Sequence, residues 1–360
     1  MRSWLRVLVP AASLLIGVLL VELVFGSWLR NPWSRVVALN VTLNERLTYD
    51  ATDLYAGGGP VVYTRDRYGL RGRYGEPRDI NILTVGGSTT DERYINDGET
   101  WQDELERQLR AAGKPATVAN AGVTGHSTYG HLSSYLYWFP LIPGLRPRYT
   151  LLYLGINDFF LLQHVLYLDG PAGGVSPLMS IIKADSATWH LYRVVRGTVQ
   201  AYRWQIHHDR VDFSRLHYTS APTLPDFEPV GRSQMEAFRQ RFVQLLDAVR
   251  RSGSTPVCIT QPTRHFRIEP DGTVLGLDGD VSIEEAIFDT FPINGVDYFH
   301  LRRMLDDVIL SECHAAGGPT IDMAVAPWED ADFYDFVHMT PHGVNTLGRR
   351  IAAAMVNLPW

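Results

Sequence analysis

The sequence predicts an α/β protein in which a parallel sheet is covered by helices on both faces. Short, continuous apolar runs alternate along the chain with amphipathic segments of helical period, and buried parallel strands have this continuous apolar character. Two of the runs lead directly into glycine turns, and a third is followed by a glycine-containing loop. Hydrophobic residues make up 45% of the 360 residues and charged residues 20%, which allows a large core and excludes bulk disorder.

The elements follow in a regular order. Strands are predicted at 80–85, 116–119, 149–154, 256–260 and 319–322. Helices are predicted at 100–112, 233–251, 297–313 and 343–356, with Gly113 and Gly253 ending the first two. Functional sites of parallel sheets form at the carboxyl ends of the strands. The loops after these strands are therefore the places to look for chemistry.

The N-terminal segment has the composition of a membrane anchor. Residues 5–25 form an apolar run long enough to span a hydrocarbon core of about 30 Å. Arg2 and Arg6 lie at its N-terminal end, which favours a cytoplasmic N-terminus and an extracytoplasmic location for the rest. Glu22 is expected near the outer interface. The alternative is a cleaved signal peptide with Ser27 as the first mature residue.

The predicted organisation therefore has three parts. Residues 1–26 form a transmembrane helix in the cytoplasmic membrane, and residues 27–78 form a juxtamembrane connector with a short strand at 61–63. Residues 79–360 form the α/β domain, with an aromatic-rich insertion at about 159–232. The insertion is read as a helical subdomain packed on the sheet edge, or alternatively as a lid that binds a sugar or an acyl chain. An integral-membrane protein is a further expected partner.

Charge and cysteine content exclude several classes of function. The net charge of -6 leaves no basic excess to neutralise a nucleic acid backbone. The two cysteines, Cys258 and Cys313, are too few for a four-thiolate zinc site or an iron–sulfur cluster. Cys258 lies in an apolar run and is expected to be a small core residue. One disulfide bridge is allowed, but nothing in the sequence requires it.

Four polar blocks occupy the loops that follow the strands or lie near the C-terminus. Each block alone is weak, because glycine, serine and asparagine are common in turns. Their order and placement carry the information. The blocks are Gly86-Gly87-Ser88-Thr89-Thr90, Asn120-Ala121-Gly122-Val123-Thr124-Gly125, Gly155-Ile156-Asn157-Asp158 and Asp335-Phe336-Val337-His338.

This arrangement resembles the SGNH (GDSL-like) hydrolase superfamily, which carries a serine, a glycine, a GxND asparagine and a DxxH pair in this order. The resemblance extends over about 260 residues from Asp79 onward. Together with the N-terminal segment it looks like the membrane-anchored bacterial envelope type. It implies a flavodoxin-like three-layer α/β/α sandwich. One departure is Gly87, where the older family consensus has aspartate before the serine.

The resemblance also implies a role for each residue. Ser88 is the nucleophile, His338 is its general base, and Asp335 orients the imidazole. The oxyanion hole consists of the Ser88 N–H, the Gly125 N–H and the Asn157 side-chain amide. No cofactor and no metal are implied.

Other polar residues receive structural interpretations. Gly122 is expected only to shape its loop, and Asp158 to stabilise the next one. His342, four residues after His338, is read as a cap or surface residue. His126 is placed at the rim of the site. The His207-His208-Asp209 run could suggest a metal, but adjacent side chains diverge and no third ligand follows at metal spacing.

The predicted function is that of an extracytoplasmic serine esterase or O-acyl transferase acting on an acylated sugar or lipid of the cell envelope. The alternative is a hydrolase-derived structural or accessory subunit of a membrane complex. A flavodoxin-like nucleotide-binding function is disfavoured, because no glycine-rich phosphate loop opens a helix.

Overall fold

A computed structural model describes residues 2–26, 28, 32–160, 185–203, 208–224, 226, 228–279 and 293–360. Its strands are β1 (Glu45–Asp50), β2 (Pro60–Arg65), β3 (Ile82–Gly86), β4 (Val118–Asn120), β5 (Tyr149–Tyr153), β6 (Tyr218–Thr219), β7 (Thr255–Ile259), β8 (Phe266–Ile268), β9 (Val274–Leu277) and β10 (Thr320–Ile321). Its α-helices are α1 (Arg2–Phe25), α2 (Trp33–Val37), α3 (Ser88–Asp91), α4 (Trp101–Ala111), α5 (Thr128–Ser133), α6 (Ile156–Phe160), α7 (Ala187–Arg203), α8 (Glu228–Arg251), α9 (Gly295–Ala315) and α10 (Pro341–Met355).

The central sheet has five parallel strands in the order β10-β7-β5-β3-β4. Numbered along the chain within this sheet, the order is 2-1-3-4-5, which is the flavodoxin-like order. The five predicted strands are these five, each displaced by two residues or fewer at either end. The predicted α/β class with a central parallel sheet is confirmed.

Alternation along the strands explains the three layers. Successive strand residues point to opposite faces of a sheet. Ile82 and Leu151 pack with helices α4 and α10 on one face, whereas Leu83 and Leu152 pack with helices α8 and α9 on the other. All four of these side chains are at most 1% exposed. Helix α4 begins where predicted, because the Thr100 side chain accepts a hydrogen bond from the Asp103 N–H.

Cys258 and Cys313 form a disulfide that joins strand β7 to helix α9. Both residues are fully buried, as the apolar context of Cys258 predicted. The sequence allowed this bridge without requiring it, since 55 positions separate the two residues. The pairing follows from the packing of α9 across β7, which local sequence patterns do not reveal.

Strands β1 and β2 form an antiparallel hairpin ahead of the central sheet. Only the 61–63 part of this hairpin was predicted. Val61 and Tyr63 are buried, and Arg65 at its end is 5% exposed. Arg71 then forms an antiparallel bridge with Asn120 at the end of β4. The segment before the sheet therefore packs against the α/β core.

A second sheet was not predicted. It has three antiparallel strands in the order β6-β9-β8. These strands are two to four residues long, too short to show a period of two along the sequence. Within the predicted insertion the structure describes α7 and β6, while 161–184, 204–207, 225 and 227 lie outside the described residues.

Helix α1 covers the predicted anchor segment. Among the helices that the structure describes, none is both long enough and apolar enough to cross a membrane. Glu22 was expected near the outer interface of a membrane. Its carboxylate accepts hydrogen bonds from Ser186 Oγ at 2.7 Å, the Ala187 N–H at 3.0 Å and Trp28 Nε1 at 2.9 Å. The end of α1 is thereby attached to the beginning of α7.

Candidate active site

Ser88 lies in the tight turn between β3 and α3, at the carboxyl edge of the sheet. It is the first residue of α3, and Gly87 is the N-cap. The first N–H groups of a helix have no carbonyl partner one turn earlier, so they are available to a ligand. The Ser88 N–H therefore has the character that an oxyanion donor requires.

His338 and Asp335 reach Ser88 from a loop near the C-terminus. Nε2 of His338 lies 2.8 Å from Ser88 Oγ, and its Nδ1 lies 2.7 Å from Asp335 Oδ2. The loop is closed at its base by the bridge between Phe333 and Met339. The Tyr334 ring stacks on the His338 imidazole at 5.7 Å and 12°. The structure thus brings the three residues together in the geometry of a Ser–His–Asp triad.

Asp335 is held as an ionised carboxylate. Burial by itself would raise the pKa of Asp335, but the neighbouring His338 and the hydrogen bonds from His208 and His338 hold that pKa well below its usual range. Asp335 Oδ1 also accepts the backbone N–H groups of Val337 at 2.8 Å and His338 at 2.7 Å. The carboxylate can therefore orient the imidazole and stabilise its protonated form.

Asn157 follows β5, the strand next to β3, and its amide lies against the serine turn. Its Nδ2 donates a hydrogen bond to the His126 carbonyl at 2.8 Å, which leaves the second amide hydrogen for another acceptor. A Cβ at Gly87 would lie only 2.4 Å from Asn157 Nδ2. A side chain at position 87 would therefore force the Asn157 amide to shift, which glycine avoids.

Gly125 completes the predicted set of oxyanion donors. Its φ of +79° is in the left-handed region that glycine tolerates best. Gly122, earlier in the same loop, packs so closely that a Cβ there would lie 2.4 Å from the Asp91 nitrogen. This agrees with its predicted role in shaping the loop. The catalytic roles of Ser88, Gly125 and Asn157 remain predictions at this point.

Two polar side chains hold the turns in register. Gln261, just after β7, accepts the Ile156 N–H at 2.8 Å and donates to Thr89 Oγ1 at 2.6 Å. It thereby links the serine turn to the asparagine turn. Asp158 accepts Thr128 Oγ1 at 2.6 Å, as expected of a loop-stabilising carboxylate. The sequence analysis did not identify Gln261, and its place directly after a strand was the available signal.

A buried ion pair stabilises the loop between Gly122 and Gly125. Arg65 pairs with Asp91, and both side chains are only 3% exposed. Arg65 also donates to the Gly122 carbonyl at 2.6 Å, while Asp91 accepts Thr124 Oγ1 at 2.7 Å. Burial raises the pKa of Asp91, but the charges of Arg65 and Arg93, together with the hydrogen bonds from Tyr63 and Thr124, lower it overall. The hairpin before the sheet thus fixes the loop that carries Gly125.

His208 is a functional-site residue that sequence reasoning set aside. Its Nδ1 lies 3.5 Å from Asp335 Oδ2, and its ring centroid lies 4.4 Å from that of His338. Burial lowers the pKa of His208, with the nearby His338 acting in the same direction. His207 lies outside the described residues, and Asp209 is exposed. His208 is brought beside the triad by packing between distant parts of the chain.

His208, Asp335 and His338 together could hold a divalent metal. Their ligand atoms lie within 4.8 Å of one another, and within the described ranges they form the one cluster of this kind. The two uses of His338 compete. A metal on Nδ1 needs that nitrogen without its proton, whereas the triad needs Nδ1–H to donate to Asp335. The hydrogen bond of 2.7 Å between Nδ1 and Asp335 Oδ2 is the arrangement of the triad.

The serine opens into a small cavity of about 30 Å³, enough for a few non-hydrogen atoms. Its lining includes Ile95, Tyr153 and Met339, together with the side of Glu92. Glu92 is 8% exposed and accepts the Trp101 N–H at 3.0 Å. Burial raises the pKa of Glu92 well above its ordinary value. Burial thus favours the uncharged form of Glu92, which suits a short acyl group in the cavity.

Of two histidines interpreted from the sequence, His342 lies at the surface as expected, whereas His126 does not lie at the rim of the site. His342 is a surface residue with a 61% exposed side chain, paired with Asp332 at 2.9 Å. The cap of α10 is Thr340 rather than His342. His126 was expected at the rim of the site, but it is 1% exposed, and its Nε2 lies 2.7 Å from the Leu39 carbonyl oxygen. Its contribution to the site is the backbone carbonyl that orients Asn157.

Comparisons with known proteins give structural likeness only. No protein-family model matches the sequence, and no curated protein matches it. Among solved structures, the chain is similar to an acetyl-xylooligosaccharide esterase from Geobacillus (12% identity, 78% of this chain and 94% of that one, TM-score 0.40). It is also similar to a lipolytic G-D-S-L family protein from Veillonella parvula (11% identity, 77% of this chain and 96% of that one, TM-score 0.39). A third similar structure is a psychrotrophic esterase from Pseudoalteromonas (11% identity, 76% of this chain and 96% of that one, TM-score 0.39). The function of this chain is inferred from its own site.

Proposed function

We propose that this protein is a serine ester hydrolase of the SGNH type that works through an acyl-enzyme. The observation that carries the proposal is the continuous contact from Ser88 Oγ through His338 to Asp335, at 2.8 Å and 2.7 Å. A serine hydroxyl is a weak nucleophile without a base in hydrogen-bond reach, and here the base is present and oriented. The order of the four sequence blocks supports the same class.

The reaction follows from the positions of these atoms. Ser88 Oγ attacks the ester carbonyl carbon while His338 Nε2 takes the hydroxyl proton. The tetrahedral intermediate expels the alcohol, which receives that proton from His338, and the acyl group remains on Ser88. Water or a second hydroxyl then attacks the acyl-enzyme with His338 again acting as base. Collapse of this second tetrahedral intermediate breaks the acyl bond to Ser88 Oγ, which takes the proton back from His338. Water gives hydrolysis and a sugar hydroxyl gives transfer, so both activities belong to the proposal.

The oxyanion is stabilised by the Ser88 N–H, the Gly125 N–H and the Asn157 amide. One such donor is typically worth about 2.7–4 kcal/mol in the transition state. Asn157 is held in place by the His126 carbonyl and by contact with Gly87, so little reorganisation is needed during the reaction. The acyl group occupies the small cavity next to Ser88.

The proposed location is extracytoplasmic, with an acylated glycan or lipid of the cell envelope as substrate. The disulfide between Cys258 and Cys313 supports an oxidising compartment. Helix α1 is proposed to attach the protein to the membrane. Its apolar side chains are exposed along most of its described length, for example Leu14 at 72% and Phe25 at 69%.

The decisive experiment labels the full chain, in detergent, with a fluorophosphonate and measures hydrolysis of p-nitrophenyl acetate. Labelling and hydrolysis are expected in the wild type and in His342→Ala, whose exposed histidine is the matched control. Both are expected to disappear in Ser88→Ala, and hydrolysis to fall strongly in His338→Ala and Asp335→Ala. A folded protein without labelling would favour the accessory-subunit function.

Membrane attachment has its own test. The protein is expected to stay with the membrane fraction through carbonate washing and to leave it in detergent. Release by carbonate, or a mature N-terminus at Ser27 by mass spectrometry, would contradict attachment through α1.

A further inference from the structure

We propose that Arg93 forms a carboxylate-binding subsite beside Ser88, so that the preferred substrates are esters whose alcohol part carries a carboxylate. In the envelope context this means an O-acylated sugar acid rather than a neutral sugar or a lipid. The inference rests on the proposed esterase function and adds the substrate class.

Arg93 is shared by two neighbouring cavities. Arg93 lines the small cavity at Ser88 and also lines a neighbouring cavity of about 200 Å³. The second cavity is bordered by Asn40, Thr42 and Tyr63 and by Thr124 of the loop that carries Gly125. The cavity at Ser88 holds only a short acyl group. The larger cavity, on the other side of Arg93, has room for the alcohol part of the ester.

Charge is the second argument. Two arginines, Arg65 and Arg93, face the single carboxylate of Asp91. Arg65 pairs closely with Asp91, whose oxygens also accept Tyr63 Oη and Thr124 Oγ1, each at 2.7 Å. Arg93 comes no nearer to Asp91 than 3.8 Å, which is beyond hydrogen-bond distance. One positive charge therefore remains at the junction of the two cavities.

Hydrogen bonding is the third argument. The Nε–H of Arg93 is buried, and within the described part of the chain it has no hydrogen-bond partner. The guanidinium carbon lies 5.4 Å from the centroid of the Tyr49 ring, a cation–π contact that does not itself use the N–H groups. A buried donor without an acceptor costs free energy, and a planar carboxylate is the acceptor that a guanidinium binds in bidentate fashion.

The carboxyl groups around this position do not cancel the charge. Glu92 lines the cavity at Ser88, and burial raises its pKa, which favours its uncharged form. Asp335 is engaged with His338, whose Nδ1 lies 2.7 Å from its Oδ2. An incoming carboxylate at Arg93 therefore meets a net positive site.

The test compares two esters of the same shape, 4-acetoxybenzoate and 4-acetoxybenzamide, which differ in the charge of the alcohol part. For the full-length wild type in detergent, we expect kcat/KM to be higher for the carboxylate, mainly through a lower KM. In Arg93→Gln the ratio of the two kcat/KM values should fall about tenfold. Arg93→Lys should keep part of the ratio, and the exposed Arg67→Gln should keep all of it.

Ionic strength provides a second readout. Added salt should reduce the ratio in the wild type and leave it unchanged in Arg93→Gln, because screening acts only on the charged pair. A folded Arg93→Gln with the wild-type ratio, or an equal loss in Arg67→Gln, would overturn the subsite. If Arg93→Gln does not fold, Arg93→Lys decides the question. The subsite is then refuted if Arg93→Lys keeps the wild-type ratio of the two kcat/KM values and added salt does not change the ratio in the wild type. Failure of the esterase proposal looks different, because then neither ester is hydrolysed.

Discussion

Replacing Gly87 by alanine tests whether the oxyanion hole depends on the Asn157 amide. The new Cβ would lie 2.4 Å from Asn157 Nδ2, and real Cβ atoms essentially never come closer than 3.0 Å. The amide must therefore move by at least the difference, 0.6 Å, and its 2.8 Å hydrogen bond to the His126 carbonyl must give way. Misplacement of a catalytic group by about 1 Å can cost about 100-fold in rate.

We therefore expect Gly87→Ala to lower kcat/KM for p-nitrophenyl acetate about 100-fold. Asn157→Ala should lower it by about 100- to 1,000-fold, as for the loss of one oxyanion donor. Adding Gly87→Ala to Asn157→Ala should then cost little more, because the clashing amide is gone and the next contact of the Cβ, with the His126 carbonyl, is an ordinary 3.4 Å. Gly59→Ala is the matched control, since a Cβ there meets nothing within 4 Å.

The double-mutant comparison decides the interpretation. If Gly87→Ala costs the same 100-fold in the Asn157→Ala background, the damage passes through the backbone of the serine turn and the reasoning about the amide is wrong. Thermal unfolding of all four variants separates loss of activity from loss of the fold.

Three further predictions concern acid, reduction and metal. Burial lowers the pKa of His265 to about 3, with Arg302 acting in the same direction and Asp335 opposing it. The unfolded chain binds this proton at its ordinary pKa of 6.5, so stability is lost as pH falls from about 6.5 towards 3. His265→Phe should flatten the slope of Tm against pH in this window, and an unchanged slope would refute it. Reduction of the Cys258–Cys313 disulfide, which closes a loop of 55 residues, should lower the free energy of unfolding by about 4 kcal/mol in urea titrations; equal midpoints before and after reduction would argue against this. EDTA should leave ester hydrolysis unchanged, and restoration of a lost activity by zinc would contradict the serine mechanism.

Sequence patterns were sufficient wherever the determining interactions are local. The apolar runs, the Gly87-Ser88 turn and the spacing from Asp335 to His338 each lie within a few residues. Each therefore leaves a readable pattern in the sequence. The order of the blocks then placed them at one edge of the sheet, as the structure has them.

Patterns failed where contacts join distant parts of the chain. His208 meets Asp335 across 127 positions, and Arg65 meets Gly122 across 57. A histidine in a polar run and an arginine at the end of an exposed-looking hairpin carry no local sign of these partners. The disulfide was left open for the same reason, since helix packing decides which face of α9 meets β7.

The buried contacts of Arg65 change what counts as the minimal working unit of this protein. A fragment starting at residue 79 would retain Ser88, Asn157 and the DxxH loop. It would nevertheless leave Asp91 as a buried charge without its guanidinium, and removing one partner of such a pair typically costs about 3–5 kcal/mol. The segment before the sheet is therefore part of the folded unit and cannot be exchanged freely. Shortened proteins for crystallisation need to retain the chain from before Glu45.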